Sequence, residues 1–462
     1  MRNDGTIKKI SFVAFSNIIK LISSILVAFV IPNILGLTNY GYYKVFILYL
    51  TYLGLFHFGF IDGIYLKYGG IDYDKLDKKS FRTYFKFLIR LEFIISIIGI
   101  VITILFVEGE KKIIFLLLFL NLIALNLTTY YQFISQITSR FREYSTRLII
   151  LSVTNIIIVA LLYIFKIYDY RIYIGLIVSV NYLLLLWYIY TYRDITFGSS
   201  NKLSEHKNEI MYYFKTGIPL LLANLSTIFV ITVDKQIVEI LFPVEVFGVY
   251  SFAYSMLSMI TVVVSAVGIV LYPTLKKTSI NNIAKNYSNL NRIIILVVIT
   301  GLAGYFPLLW IIPRFLPDYV GSLDVFRVAL PGLVLTSSIS AIKHNFFKIT
   351  DKNISFFIIG LIAIIVNIIL NLGAYHFFGT TISIAISSVI GISIWYVTTE
   401  IYMVRKYQIF WKSNALLAIT GISYFYLVTF INNFIISGIA YIMFLIILII
   451  FNFKKILIIA KT

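Results

Sequence analysis

Basic side chains occur inside apolar stretches of this sequence, where a charge is costly and usually faces a water-filled cavity or a partner. Arg82, Lys86 and Arg90 follow one another at intervals of four residues, so on a helix they stack along one face. A ladder of cations of this kind can bind a phosphate or another anionic group. For Arg82 and Lys86 the alternative is that the side chains extend to the membrane interface, whereas we expect Arg90 to face a cavity.

Other polar side chains lie in further apolar stretches and are candidates for the same cavity. Asn17 and Lys20 share one helical face, and Lys20 lies near the middle of the first stretch. The alternative for Lys20 is a structural pair with a carboxylate such as Asp62. The remaining candidates are Asn224 and Lys235 in the seventh stretch, Lys343 in the tenth and Gln136 in the fourth.

Two carboxylates in apolar stretches, Asp62 and Asp234, are candidates for binding a coupling ion, either a proton or sodium. The alternative is that each belongs to a structural ion pair. Asp234 and Lys235 are adjacent in sequence, so their side chains diverge by about 100° on a helix and pair poorly. Asp324 and Arg327 have the spacing of a local helical salt bridge.

The composition indicates that lipid surrounds these residues. The 462 residues are 60% hydrophobic and 13% charged, whereas soluble proteins carry about 25% charged residues. The formal net charge is +19, which in a soluble protein would suggest nucleic acid. Here the Lys and Arg residues concentrate in short loops, as they do in the cytoplasmic loops of membrane proteins. We therefore predict an integral membrane protein that binds no nucleic acid.

About fourteen apolar runs approach the roughly twenty residues needed to cross a bilayer. They lie near 10–35, 43–66, 83–107, 112–137, 148–166, 171–191, 214–241, 246–270, 289–312, 322–345, 354–375, 379–402, 412–430 and 434–456. The loops on one side, together with both chain ends, hold most of the Lys and Arg residues, which predicts cytoplasmic N and C termini.

Hydropathy repeats along the chain, so that the segment around Gly41 recurs around Gly248. We predict an all-α membrane protein of two pseudo-symmetric six-helix bundles, 1–191 and 214–405, with a cytoplasmic linker at 192–213 and two additional helices in 406–462. Six spans per repeat give both halves the same orientation, so their symmetry axis lies along the membrane normal and the substrate path between them. The same offset places Asn17 on Asn224, Thr129 on Thr336 and Gln136 on Lys343.

The first hairpin, from Ile34 through Tyr43, and the motif from Phe58 to Gly63 resemble the bacterial oligosaccharide-lipid flippases. These O-antigen and capsule translocases belong to the multidrug/oligosaccharidyl-lipid/polysaccharide exporter superfamily, and the resemblance covers essentially the whole chain. It implies a V-shaped cavity, alternating access and a bacterial inner-membrane location. It also implies that an undecaprenyl-diphosphate-linked sugar repeat unit, as used in lipopolysaccharide biosynthesis, is turned to the outer leaflet. The cationic candidates would then bind the diphosphate and the glycan.

Two alternatives remain open at this stage. The first is an ion-coupled multidrug or metabolite exporter of the same superfamily, although cations in the cavity would repel cationic drugs. The second is a membrane glycosyltransferase or polymerase, which would need a large external loop or paired carboxylates that the sequence lacks. With no cysteine, no metal-binding histidine spacing and no phosphate-binding Walker motif, we predict no enzyme activity, metal or cofactor.

Overall fold

The computed structural model describes residues 2–276, 280–407 and 412–460, and every regular element within these ranges is a helix. Within the described ranges, eleven helices are long and apolar enough to cross a membrane, or twelve if one bent pair forms a single span. The chain is therefore a multi-pass membrane protein. The predicted total of fourteen spans and the cytoplasmic location of both termini stay predictions.

The chain forms two compact units, Met1–Ile228 and Phe229–Thr462. The first unit contains α1 (Arg2–Leu53), α2 (Phe60–Tyr68), α3 (Lys78–Phe106), α4 (Gly109–Ile137), α5 (Phe141–Ile164), α6 (Tyr170–Thr191), the short α7 (Arg193–Thr196) and the first part of α8 (Lys207–Leu241). The second contains the rest of α8, α9 (Val244–Lys276), α10 (Ile280–Leu302), α11 (Tyr305–Phe315), α12 (Ser322–Ala329), α13 (Gly332–Ser338), α14 (His344–Ile349), α15 (Asn353–Phe378), α16 (Thr381–Tyr407), α17 (Lys412–Thr429) and α18 (Phe434–Ala460).

Helix packing in the second unit repeats that in the first. In the first unit α3 packs on α4, while α4 and α5 both pack on α6. In the second unit α10 packs on α13, while α13 and α15 both pack on α16. This is the order that the internal repeat predicts. The C-terminal helices α17 and α18 pack on each other and on α10. The finer domain boundaries, including the linker at 192–213, stay a prediction.

Glycine positions interrupt the first two predicted spans. Gly36 has φ 69° and ψ 176° inside α1, a backbone conformation that only glycine adopts easily, so the chain turns between the first two predicted spans. The second predicted span, 43–66, is itself broken, because α1 ends at Leu53 and α2 begins at Phe60. Gly59 precedes α2 with φ 83°. The apolar composition of this stretch did not predict the second break.

The start of α8 packs directly on the backbone of α2. A Cβ atom on Gly217 would lie 1.8 Å from the carbonyl oxygen of Gly59, and one on Gly63 would lie 2.1 Å from that of Tyr213. No side chain fits at either contact. Because this backbone packing joins the first part of α8 to α2, the boundary of the first compact unit falls inside α8 rather than before it.

Candidate functional site

Two of the three predicted ladder cations on α3 hold the segment that follows α6, which we call the linker segment (residues 192–206). Arg82 Nε donates to the carbonyl oxygen of Asp194 at 2.8 Å, and its Nη1 donates to that of Ser199 at 2.9 Å. Lys86 Nζ donates to Ser200 Oγ at 2.9 Å. Arg82 and Lys86 therefore bond the protein itself. This contact was not among the roles that the sequence suggested for them.

The carboxylate of Asp194 anchors the same segment. Lys78 Nζ lies 2.7 Å from Asp194 Oδ2, and the Tyr73 hydroxyl donates to Oδ1 at 2.5 Å. Partial burial pushes the pKa of Asp194 upward, but the bonds from Lys78 and Tyr73 outweigh it and lower the pKa below its ordinary value. A lowered pKa in the folded state adds stability at neutral pH, and this stability is lost as the pH falls through that lowered value.

Removing the charge of Asp194 is expected to loosen the linker segment at neutral pH. In Asp194→Asn the amide keeps the shape of the side chain but loses the ion pair with Lys78. We expect faster amide hydrogen exchange over 193–201 at neutral pH, and the same change in the wild type below about pH 4. Asp72→Asn is the control, because Asp72 lies on an exposed surface and its ion pair is with the local Lys75. Equal exchange in both variants and the wild type would contradict the anchoring role.

A pair of cations lies on two neighbouring helices of the first unit, with Lys20 exposed on α1 and Arg147 half-buried on α5. These helices pack along each other, and Ser23 Oγ donates to the carbonyl oxygen of Ser152 at 3.1 Å. One turn before this contact, Lys20 lies close enough to Arg147 for the two charges to repel. Arg147 Nη1 donates to Gln132 Oε1 at 2.8 Å, while its Nε has no hydrogen-bond partner among the described residues. Within the same part of the chain, no carboxylate pairs with either cation. We call this pair the dibasic site.

Arg90 and three polar candidates of the first unit are also accessible. Arg90 is exposed on α3, and among the described residues it makes no hydrogen bond or ion pair. Asn17 is half-buried and donates to the carbonyl oxygen of Val13 at 2.8 Å. Gln136 and Asn224 are half-buried. Arg90 is thus the ladder cation that remains available to an external anion.

Asp62 lies beside a histidine rather than beside Lys20. The carboxylate is 4% exposed, and its Oδ2 lies 3.8 Å from His57 Nδ1. The backbone N–H of Gly59 donates to this same Nδ1 at 3.1 Å. Since Nδ1 accepts a hydrogen bond, it carries no proton and cannot donate to Asp62. Asp62 and His57 are therefore not a charged ion pair, and Lys20 does not have the carboxylate that the alternative interpretation required.

The second unit contains a partly open cavity of about 250 Å³. Lys235 lines it, and its ammonium lies 4.4 Å from the centre of the Tyr254 ring. Among the described residues, Lys235 makes no hydrogen bond or salt bridge. Ser337 also lines the cavity; its side chain is 2% exposed and its hydroxyl lacks a partner within the described ranges. Other hydroxyl groups in the wall belong to Ser258, Thr261, Thr336, Ser340 and Ser388. The cavity thus combines an available cation with many hydroxyl groups.

Asp234 forms no salt bridge with Lys235 among the described residues, and two tyrosine hydroxyls bind its carboxylate. The hydroxyls of Tyr250 and Tyr254 both donate to Asp234 Oδ2, that of Tyr250 at 2.7 Å. Its Oδ1 is buried and has no hydrogen-bond partner in the described part of the chain. Tyr254 therefore contacts both residues, with its hydroxyl on Asp234 and its ring under Lys235. A buried carboxylate held by neutral donors keeps the capacity to bind a cation.

Lys343 is fully engaged by the protein. Its ammonium lies 2.8 Å from Glu400 Oε2, 3.0 Å from the carbonyl oxygen of Tyr396 and 3.2 Å from Thr399 Oγ1. These three acceptors use all three of its N–H donors, and the side chain is completely buried. Lys343 therefore does not reach the cavity of the second unit. Its place in the set of cavity residues is a correction to the sequence-based interpretation.

A π-helical turn explains the different position of Lys343. The sequence predicts Thr336, Ser340 and Lys343 on one face of a regular helix, but residues Ile339–Lys343 form a π-helix between α13 and α14. The wider turn shifts the direction of the side chains that follow it. Thr336 and Ser340 still line the cavity, whereas Lys343 points to Glu400. The predicted salt bridge between Asp324 and Arg327 is confirmed at 3.3 Å.

Removing Lys343 is expected to destabilise the second unit strongly. Lys343→Ala leaves Glu400 buried without its charged partner. The Tyr287 hydroxyl, which donates to Glu400 Oε2 at 3.0 Å, remains. Loss of one partner from a buried pair costs about 3–5 kcal/mol. We expect a lower melting temperature in detergent, with partial recovery in the double variant Lys343→Met/Glu400→Gln. Exposed Lys352→Ala is the control. A wild-type melting temperature for Lys343→Ala would contradict this role.

Comparison with solved structures reveals one architecture. The structure titled "Lipid II flippase MurJ, inward closed conformation" matches with a TM-score of 0.73 and 15% identity, covering 97% of this chain and 99% of that chain. The chain has the fold of MurJ. An inward-facing MATE transporter matches at 0.63 and 14% identity, covering 85% and 98% of the two chains. A MOP-superfamily transporter from Pyrococcus furiosus matches at 0.57 and 14% identity, covering 90% and 96%.

No protein-family model and no curated protein sequence matches the chain. The MurJ fold confirms the predicted architecture of an all-α, multi-pass membrane protein, while membership of the superfamily and the O-antigen flippase subtype stay proposals. At 15% identity with MurJ, the likeness extends to the fold and not to individual site residues. Arg147 was not predicted as a site residue, because its position near the start of α5 resembles that of a loop cation. The one sequence feature that pointed to it was its position opposite Gln132 across the turn between α4 and α5.

Proposed function

We propose that the chain is a flippase for an undecaprenyl-diphosphate-linked oligosaccharide repeat unit. The cargo moves from the cytoplasmic to the outer leaflet of the bacterial inner membrane by alternating access, and it serves surface polysaccharide assembly. The chain itself is a transporter rather than an enzyme. The solved structure with the same fold is named a lipid II flippase, which supports a lipid-linked cargo.

The dibasic site is the observation that carries this proposal. Lys20 and Arg147 repel each other, and no carboxylate of the described residues compensates them. Bringing two cations together inside a membrane protein is unfavourable unless an anion binds. A diphosphate supplies two or more negative charges and accepts charge-assisted hydrogen bonds from both side chains. Arg90, exposed and unpaired within the described ranges, is a third cation available to the same kind of ligand.

The cavity of the second unit supports a carbohydrate component. Its hydroxyl groups can donate to and accept from sugar hydroxyls, and Lys235 provides a charged donor with no acceptor among the described residues. The buried Ser337 hydroxyl needs a partner, and a polar ligand or water supplies one. We assign Lys235 and Ser337 to binding the glycan.

Asp234 is our candidate for binding a coupling ion in the second unit. Its buried Oδ1, without a hydrogen-bond partner in the described part of the chain, can accept a proton or contribute to a sodium site. Asp62 is the corresponding candidate in the first unit, because its buried carboxylate lies beside a neutral histidine.

A cargo comparison tests the proposed function. Purified protein in nanodiscs is titrated with undecaprenyl-diphosphate sugars, with the neutral undecaprenol and with a cationic drug, and binding is measured by native mass spectrometry. We expect only the diphosphate lipids to bind, and we expect Lys20→Ala to weaken this binding. Preferential binding of the cationic drug would instead favour a multidrug exporter of the same superfamily.

A further inference from the structure

A carboxylate that no part of the proposed mechanism uses lies in the middle of α3. Glu92 is completely buried. Its Oε2 accepts a hydrogen bond from Asn126 Nδ2 on α4 at 2.8 Å, while its Oε1 is buried without a partner among the described residues. The Oδ1 atom of Asn126 is buried in the same way. Glu92 and Asn126 are hydrogen-bonded to each other, yet each has one acceptor oxygen without a hydrogen bond.

The orientation of the Asn126 amide follows from its two neighbours. Its Nδ2 donates to Glu92 Oε2 and also to the carbonyl oxygen of Leu53 at 3.2 Å. Both neighbours are acceptors, so the nitrogen and not the oxygen must face them. These contacts fix the orientation of the amide, and in that orientation Oδ1 has no donor.

No described cation bonds Glu92. α3 packs against α4 and α7, and the charged groups of these two helices lie at their ends or within a single short turn. They are Glu110, Lys111 and Lys112 in the first turn of α4, and Arg193 and Asp194 in α7. An ionised Glu92 would therefore be a buried charge with a single amide donor.

The other titratable groups on this side of the first unit bond elsewhere. At the end of α4, the Tyr130 hydroxyl donates to the carbonyl oxygen of Phe81, and that of Tyr131 bonds Thr196. In the chain that follows Leu53, the titratable group is His57, which faces Asp62. None of these groups supplies a donor to the free oxygen of Glu92.

A proton on Glu92 Oε1 satisfies both orphan oxygens at once. A protonated carboxyl group gains an O–H donor, and the available acceptor in the same pair of residues is Asn126 Oδ1. The carboxylic acid and the amide then exchange two hydrogen bonds, Nδ2–H to Oε2 and Oε1–H to Oδ1. We propose that Glu92 and Asn126 form a proton-binding site inside the first unit, with Glu92 as the group that gains and loses the proton.

The site is connected to the interruption between α1 and α2. Leu53, whose carbonyl oxygen accepts from Asn126, is the last residue of α1. The chain then leaves helical geometry until α2 begins at Phe60. Loss of the proton leaves the Asn126 amide opposite a charged carboxylate. The same Asn126 Nδ2 group donates to the carbonyl oxygen of Leu53, so this hydrogen bond changes with the charge of Glu92. Proton binding can thus bias the geometry of the broken second span. This coupling role rests on the proposed function, whereas proton binding itself does not.

Infrared spectroscopy tests proton binding without any transport. We expect purified wild-type protein in nanodiscs to display the carbonyl band of buried, protonated carboxylic acid at neutral pH, and expect Glu92→Gln to lose the part of this band that Glu92 contributes. The glutamine amide of this variant can still exchange two hydrogen bonds with Asn126, so the variant should fold. Glu108→Gln, at an exposed position before α4, should keep the band. A band that is absent in the wild type from mildly acidic to mildly alkaline pH, or unchanged in Glu92→Gln, would overturn the proton site.

Translocation in vesicles with an imposed pH gradient tests the coupling role. We expect the gradient to accelerate lipid-linked sugar translocation by the wild type, and expect Glu92→Gln to translocate at one rate with and without the gradient. A Glu92→Gln protein that keeps the full response to the gradient would overturn the coupling role. If the wild type translocates no lipid-linked sugar at all, the proposed function and the coupling role both fail, and the infrared result still decides the proton site.

Discussion

Replacing Lys20 or Arg147 by alanine is expected to lower translocation of a lipid-linked diphosphate sugar by about tenfold to about a hundredfold. Each side chain supplies a charge-assisted hydrogen bond to the diphosphate, worth about 1.5–3 kcal/mol, and 1.4 kcal/mol corresponds to roughly a factor of ten. We expect the same direction for Arg90→Ala. In cells, these variants should lose surface glycan display while the protein stays in the membrane.

Arg142→Ala is the matched control for Arg147→Ala. Arg142 lies on the same helix but is exposed, so its loss should leave translocation unchanged. Protein abundance in the membrane is measured in parallel to separate function from folding. If Lys20→Ala and Arg90→Ala cells display normal glycan at normal protein levels, the role of these cations in binding the diphosphate is wrong.

Gly217→Ala is expected to abolish folding of the first unit. The added methyl carbon would lie 1.8 Å from the carbonyl oxygen of Gly59 and 2.7 Å from the backbone nitrogen of Gly63. Both obstacles are backbone atoms, so relief requires α8 to move away from α2. Destabilisation beyond about 4–5 kcal/mol is exceptional for one substitution, and a backbone clash of this kind belongs to that class. Size-exclusion chromatography in mild detergent should reveal aggregated protein in place of a monodisperse peak.

Gly175→Ala controls for the general effect of adding a methyl group. Gly175 lies in α6, and a Cβ atom there would meet no other described atom within 4 Å. We expect a monodisperse peak and a melting temperature at or above that of the wild type, since alanine favours helix over glycine. A Gly217→Ala protein that behaves like Gly175→Ala would contradict the close contact between α2 and α8.

Hydropathy predicted the helical architecture because lipid-facing helices must be long and apolar. The turn near Gly36 and the repeated order of the helices were accessible in this way, and helical spacing predicted the local pair Asp324–Arg327. The break between Leu53 and Phe60 was not, because its residues are as apolar as the helices around them. The π-helical turn that ends at Lys343 was equally hidden, since no residue type marks it.

The site residues were harder to predict, because the sequence shows that a charged residue lies in a span but does not show which residue it pairs with. Lys20 and Lys235 were proposed from their position in apolar runs; neither makes a hydrogen bond or salt bridge among the described residues, and their binding of a ligand stays a prediction. Lys343 looked equivalent, but its partner Glu400 lies on a distant part of the sequence. Glu92 was overlooked for a similar reason: its significance depends on Asn126, whose unpartnered oxygen no sequence pattern displays.

Translocation by purified protein in sealed vesicles tests the proposed function most directly. The vesicles carry a fluorescent undecaprenyl-diphosphate oligosaccharide in one leaflet, and a membrane-impermeant quencher reports its arrival in the other. We expect wild-type protein to move this lipid far faster than protein-free vesicles do, Lys20→Ala to lose most of that rate and Arg142→Ala to keep it. A wild-type rate equal to that of protein-free vesicles, or a Lys20→Ala rate equal to the wild type, would contradict the central claim.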